Sequence, residues 1–142
     1  MERNTRQREA VLAALERAGR ALTPGEILAL AQSSVASLNL STIYRQLAAL
    51  QDEARIAKVL LPGQAARFEA ACGEREREGE GGAARHHHHH FHCSACDRVY
   101  TLHACPGPMQ ELAPAGFVVT DHEVTLRGLC ATCATRPTGR RR

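Results

Sequence analysis

Six of the eight histidines and two of the six cysteines fall within residues 86–96, His86-His87-His88-His89-His90-Phe91-His92-Cys93-Ser94-Ala95-Cys96. Imidazole and thiolate are ligands for borderline-soft divalent cations, zinc above all. A second Cys-x-x-Cys pair, Cys130 and Cys133, follows after 33 intervening residues. Four thiolates on two short turns fit a tetrahedral structural zinc site made of Cys93, Cys96, Cys130 and Cys133. Five consecutive histidines also invite a reading as a purification tag. Tags sit at termini or beside linkers, whereas this run is internal and passes straight into a cysteine pair. A strand through the run would place His86, His88, His90 and His92 on one face and His87 and His89 on the other, so one segment can feed two metal sites. Cys72, His103, Cys105 and His122 are further ligands that a closed four-thiolate site does not need.

The same inventory argues against catalysis. There is no His-Glu-x-x-His, and no His-x-Glu accompanies a Pro-Cys-x-x-Cys, so the general-base carboxylate of a zinc hydrolase or deaminase is missing. No catalytic residue and no small-molecule substrate are therefore expected. The formal charge of +3 conceals a basic amino terminus and a closing Arg140-Arg141-Arg142, a balance that permits nucleic-acid binding without requiring it. No apolar run approaches the ~18 residues of a membrane span, and Met1-Glu2-Arg3-Asn4 does not open a signal peptide. The expectation is a cytoplasmic chain with reduced thiols and no membrane partner. With 142 residues, no Trp and few other aromatics, one domain or two small ones must form without large rings, so bound metal would supply part of the stability.

The elements that position these ligands follow from periodicity. Residues 5–18 put Val11, Leu12, Leu15 and Ala18 on one helical stripe, capped by Thr5 or Asn4 and ended by Gly19. Thr23-Pro24-Gly25-Glu26 is a capping box that opens a short helix burying Ile27, Leu28 and Ala31. After a loop, Ser41 is expected to cap a third helix with Ile43, Leu47 and Leu50 inward, Thr42, Arg45 and Gln46 outward, and Tyr44 at the boundary. Residues 55–61 alternate as a strand, Pro62-Gly63 turns, and residues 66–69 return. Three helices and a hairpin in this order predict a winged helix-turn-helix. Its third helix would enter a major groove, with Tyr44 and Arg45 as leading contacts, Thr42 and Gln46 next, and Arg8, Arg45 and Lys58 on phosphates. Three amphipathic helices packed as a plain core are the alternative.

Residues 73–85 are charged, Gly-rich and without an apolar period, a linker pattern. Beyond it, a strand is expected at residues 98–102, a short helix near 109–112, and a strand pair through 117–120 and 123–129, with Gly128 allowing the turn into the second cysteine pair. Strands with so little core suit pairing with a second copy. The predicted fold class is α+β: an N-terminal winged helix-turn-helix domain (1–72), the linker (73–85), a small α/β dimerisation and metal-binding domain (86–136), and a basic tail (137–142).

Thr5-x-x-Arg8, Ser41-Thr42-Ile43-Tyr44-Arg45-Gln46-Leu47, Arg67-Phe68-Glu69, the histidine run into Cys93-x-x-Cys96, and Asp121-His122 before Cys130-x-x-Cys133 occur in that order. Nearly the whole chain thereby resembles the ferric uptake regulator (Fur) family of metal-responsive repressors, most closely its zinc uptake regulators. The resemblance implies a homodimer that binds double-stranded palindromic operator DNA when a regulatory metal is bound. It assigns structural Zn2+ to the four cysteines and a regulatory hinge site to Glu69, Cys72, His88 and His90. A further site found in some members would draw on His87, His89 and His122. The chain departs from the pattern at Ala21 and Ala57, where other members carry ligands, and in a longer linker and a shorter helix between the strands. Glu69 or His86 would then complete the regulatory set. His103 or Cys105 would replace the acidic ligand lost with the helix, although Cys105 reads first as a free thiol. A thiolate in the regulatory set favours Zn2+ over Fe2+ or Mn2+. The function implied is a zinc-responsive repressor of metal-homeostasis genes. An iron-, manganese- or peroxide-sensing relative and a zinc storage or delivery protein are the alternatives.

Overall fold

The computed structural model describes residues 1–71 and 88–136. The expectations for Cys72, His86, His87, the linker and the basic tail lie outside these residues. The chain divides into two compact units, Met1–His86 and His87–Arg142. Among the described residues, no helix is long and apolar enough to cross a membrane.

The first unit holds α1 (Glu2–Ala18), β1 (Arg20–Ala21), α2 (Pro24–Ala31), α3 (Leu40–Asp52), β2 (Ile56–Val59) and β3 (Arg67–Ala70). Helix α1 starts three residues earlier than its apolar stripe, without a side-chain cap. Thr5 already lies in the helix and bonds back to the Met1 carbonyl, while the Asn4 amide oxygen is taken by Gln46. Gly19 ends the helix at φ 59°, a left-handed conformation that spares it the Cβ clash other residues would meet. The capping box forms as read. The Thr23 hydroxyl accepts from the Glu26 amide at 3.3 Å, and the Glu26 carboxylate accepts from the Thr23 amide at 2.9 Å. Burial pushes the Glu26 carboxyl up, but the Thr23 amide and Arg20 outweigh it and hold it below its usual range. Replacing Thr23 with Ala is expected to cost about 1 kcal/mol, read by denaturant titration at neutral pH. The Glu26 contribution is present above its unfolded pKa and fades as pH falls, so the stability gap between Glu26→Gln and the parent should narrow in acid.

Val11, Leu15, Leu22, Ile27, Ile43, Leu47 and Leu50 form the buried centre of this unit. Phe68 closes the core from the wing, and its amide and carbonyl pair with those of Leu22 at 2.8 Å. The wing is an antiparallel hairpin in which Ala57 faces Glu69 and Lys58 faces Phe68.

The second unit holds β4 (His89–Cys93), β5 (Val99–Leu102), a 3-10 turn (Gln110–Leu112), β6 (Thr125–Gly128) and the single-turn α4 (Ala131–Ala134). Strand β4 is central, antiparallel to β5 and parallel to β6. Residues 103–124 make the crossover that this arrangement requires. The expected strand at 117–120 does not form. Gly116 turns the chain at φ 83°, and the Gln110 side chain donates to the Phe117 carbonyl at 2.7 Å and accepts from the Val119 amide at 2.9 Å. A side-chain amide has thus taken the groups a partner strand would use. Gly128 ends β6 without a positive φ, and a Cβ there would make ordinary contact with the Phe91 ring at 3.4 Å, so neither a turn nor packing demands glycine.

Candidate metal centres and the outward face of the third helix

The two cysteine pairs converge because β4 runs into the first and β6 into the second, side by side. The Ser94 amide donates to the Gly128 carbonyl at 2.8 Å, the Ser94 hydroxyl donates to the same oxygen at 3.1 Å, and the Cys130 amide donates to Cys93 Sγ at 3.3 Å. Asp97 closes the first turn in a left-handed conformation, φ 62°, and its carboxylate meets His92 Nε2 at 2.6 Å. The Sγ atoms of Cys93, Cys96, Cys130 and Cys133 all lie within 4.8 Å of one another, and those of Cys96 and Cys130 are 3.9 Å apart. A tetrahedral zinc with Zn–S bonds of about 2.3 Å sets its sulfurs about 3.8 Å apart, so the four thiols fit the ion.

Their electrostatics are set by nearby backbone amides and by one another. Backbone N–H groups, led by that of Cys130 and followed by those of Cys96 and Ala95, lower the Cys93 thiol to about 6. The Cys133 amide acts likewise on Cys130. Hydrogen bonding to Cys130, together with burial, raises the Cys133 thiol to about 12. A bound divalent ion would supply the positive charge that deprotonates the whole set.

A second cluster differs from the sequence reading. His89, Cys105 and His122 offer ligand atoms within 4.8 Å of one another. Cys105 Sγ lies 3.2 Å from His122 Nε2, and the His89 and His122 rings stack with centroids 5.1 Å apart. Cys105, read first as a free thiol, therefore stands beside both histidines. His103 does not: it is exposed and meets the His88 ring edge-on at 5.0 Å. Of the proposed regulatory ligands, Glu69 is buried on β3 of the first unit, and His88 and His90 belong to the second. Ala57, directly across from Glu69, offers no donor.

Helix α3 corrects the reading of its faces. Its cap is Asn39, whose side chain accepts from the Thr42 amide at 2.9 Å; Ser41 is already inside the first turn. Thr42 and Gln46 are buried, at 8% and 3% exposure, and so do not face outward. Gln46 sits three residues after Ile43 and four before Leu50, on the buried stripe, and its amide donates to Asn4 Oδ1 at 2.6 Å. The outward face carries Ser41, Tyr44, Arg45 and Ala48, with Tyr44 54% exposed. Ser41 was missed as a surface group because it was assigned to the cap. Lys58 is exposed on the wing, and Arg8 forms a two-pronged ion pair with Glu53. That pair raises the Arg8 guanidinium pKa and lowers that of the Glu53 carboxyl.

A winged helix with a polar outward face on its third helix, carried in one chain with a four-thiol metal centre, defines a metal-responsive DNA-binding regulator. The ferric uptake regulator family model matches residues 2–127, and the chain belongs to that family. Its members are dimeric transcriptional regulators, not enzymes. The fold is shared with the ferric uptake regulator of Helicobacter pylori, at 24% identity and TM-score 0.63, over 93% of this chain and 82% of that one. It is similar to a zinc-bound manganese uptake regulator, at 22% identity and TM-score 0.68, over 87% of each chain. A zinc uptake regulator complexed with zinc and DNA matches at 22% identity and TM-score 0.57, over 90% of this chain and 81% of that one. Among curated proteins no significant match is found.

Proposed function

We propose that the chain is a zinc-responsive repressor that acts in the cytoplasm as a homodimer on palindromic operator DNA of metal-homeostasis genes. The supporting observation is the joint presence of Tyr44 and Arg45 on the outward face of α3 and a thiol- and imidazole-rich second unit in a member of this family. Exposed Leu112, Phe117, Val118, Leu126 and Leu129 give the second unit apolar surface for a second copy. Zn2+ occupies the four-cysteine centre as a structural ion. A second Zn2+ is held by Glu69, Cys72, His88 and His90, with His86 available as a further ligand. The relatives solved with zinc, one of them also on DNA, support this choice, as does the thiolate of Cys72.

Ligands from the two units sharing one ion restrict the angle between DNA-reading domains, and operator half-sites demand one spacing. Metal then prepays an ordering cost of DNA binding, and DNA must tighten metal binding by the same factor. The test uses a palindromic duplex selected from a random pool in the presence of zinc, with binding followed by fluorescence anisotropy. Zinc is expected to switch binding on, chelation of the weaker ion to switch it off, and Cys72→Ser with His88→Ala to remove the zinc dependence. Metal-dependent binding that survives this double substitution refutes the scheme. A preference for ferrous iron or manganese would identify a different sensor on the same fold.

A further inference from the structure

We propose that Glu53 is an internal substitute for DNA phosphate: it occupies the Arg8 guanidinium, withholds it from the backbone of a bound duplex, and so weakens the sequence-independent part of DNA binding. A guanidinium fork meets a carboxylate and a phosphate with the same two parallel N–H bonds, so the two anions compete for one arginine. Arg8 Nη1 donates to Glu53 Oε1 at 2.6 Å, Arg8 Nη2 donates to Oε2, and the two side chains are 29% and 47% exposed. Glu53 has this role only if α3 binds duplex DNA, as proposed above, but it needs neither the regulatory metal nor an operator sequence.

The packing of α1 against α3 puts the pair at the edge of the outward face. Asn4 and Arg8, one turn apart on α1, meet Gln46 and the C-cap residue Glu53, two turns apart on α3, so α1 lies along one flank of that helix. Glu53 follows Arg45 by eight residues, about 12 Å along the axis and about 80° around it. A helix in the major groove, itself about 12 Å wide, has phosphates along both flanks. Arg8 is therefore carried to the side of α3 that a groove wall would face, and there it meets a carboxylate of its own chain. Glu53 does not sit on a frayed end. Ala54 turns left-handed at φ 54°, and the Arg55 amide returns to the Leu50 carbonyl at 2.9 Å. The bond from Arg8, aided by the charge of Arg55, outweighs desolvation and holds the Glu53 carboxyl below its usual range. Phosphate contacts position a protein without reading sequence, so masking one lowers binding to every duplex alike.

The experiment measures binding of full-length, zinc-loaded protein to a mixed-sequence duplex by fluorescence anisotropy, between about 50 and 200 mM salt. Glu53→Gln should free Arg8 for phosphate. The slope of log affinity against log salt should then steepen by about 0.9 per contact, about 1.8 for a dimer, and binding at the low-salt end should tighten by at least about tenfold. Glu53→Ala, which leaves Arg8 no partner there, should do the same. In an Arg8→Gln background the same Glu53→Gln change should gain less than about threefold and leave the slope unaltered, since only the repulsion of a carboxylate from phosphate is removed. Thermal melts of all the variants show that the comparison is between folded proteins, as expected for a pair at the surface. Equal gains in the two backgrounds, or no gain from either Glu53 variant, overturn the proposal. A parent that binds no duplex at all overturns it together with the DNA-binding reading, whereas parent and variants that bind equally well refute the role of Glu53 alone.

Discussion

Cys93→Ser is expected to remove one zinc per chain and unfold the second unit while the helices of the first remain. Cys93 has no exposed surface, ends the central strand, and accepts the Cys130 amide through its sulfur. Among the described residues of this unit, the only other fully buried apolar side chain is that of Val99. So small a core leaves folding to the ion. Structural zinc contributes about 10–16 kcal/mol of apparent binding free energy in small zinc modules, as much as the whole stability of a typical domain, about 5–15 kcal/mol. Elemental analysis and the dispersion of second-unit amide resonances measure the two effects together. Retention of a full zinc equivalent with dispersed resonances would show that the four thiols are not the structural site. The same centre sets a pH dependence. Protons compete with the ion for the four thiolates, so its hold on this unit weakens as pH falls. Acid should therefore release zinc and unfold this unit first.

What could be read from the sequence depended on whether the signal was local. The Thr23–Glu26 capping box is a contract between residues three apart, and the structure makes both of its hydrogen bonds. The order of three helices and a hairpin was legible from period and turn chemistry. The two Cys-x-x-Cys pairs announced one another by residue type alone. Errors arose where a polar side chain finds its partner far along the chain. Gln46 looked like a surface group by type, although its position on the Ile43–Leu50 stripe put it inside; the partner that satisfies it is Asn4, 42 residues away. Residues 117–120 are aromatic and β-branched like a strand, but Gln110 claims the Phe117 carbonyl and the Val119 amide. Cys105 carries no spacing signature with His89 or His122, because a crossover, not a motif, brings them together.

Arg45→Glu is expected to abolish operator binding with no change in metal content or melting behaviour. Arg45 is exposed on the face of α3 opposite Ile43, Leu47 and Leu50, so its replacement disturbs no packing. A specific arginine contact to DNA is worth about 1–3 kcal/mol. A dimer loses it twice, roughly 2–6 kcal/mol, which is at least about 30-fold in affinity before the repulsion of a carboxylate from phosphate is added. If Arg45 meets phosphate, the slope of log affinity against log salt should also fall by about 0.9 per contact, measurable with the alanine variant, which still binds. Gln46→Ala is the informative contrast. It leaves the outward face intact but removes a buried side chain and its hydrogen bond to the exposed Asn4, so it should cost about 0.5–1.5 kcal/mol of stability and little operator affinity at temperatures where the first unit is folded. Anisotropy titrations of zinc-loaded protein, paired with thermal melts, separate the two. The opposite pattern, with Arg45→Glu binding like the parent and Gln46→Ala losing DNA while fully folded, would mean that the buried face of α3 turns outward to read DNA. Normal binding by both variants would remove α3 from the interface and leave the wing, with Lys58, as the surface to examine.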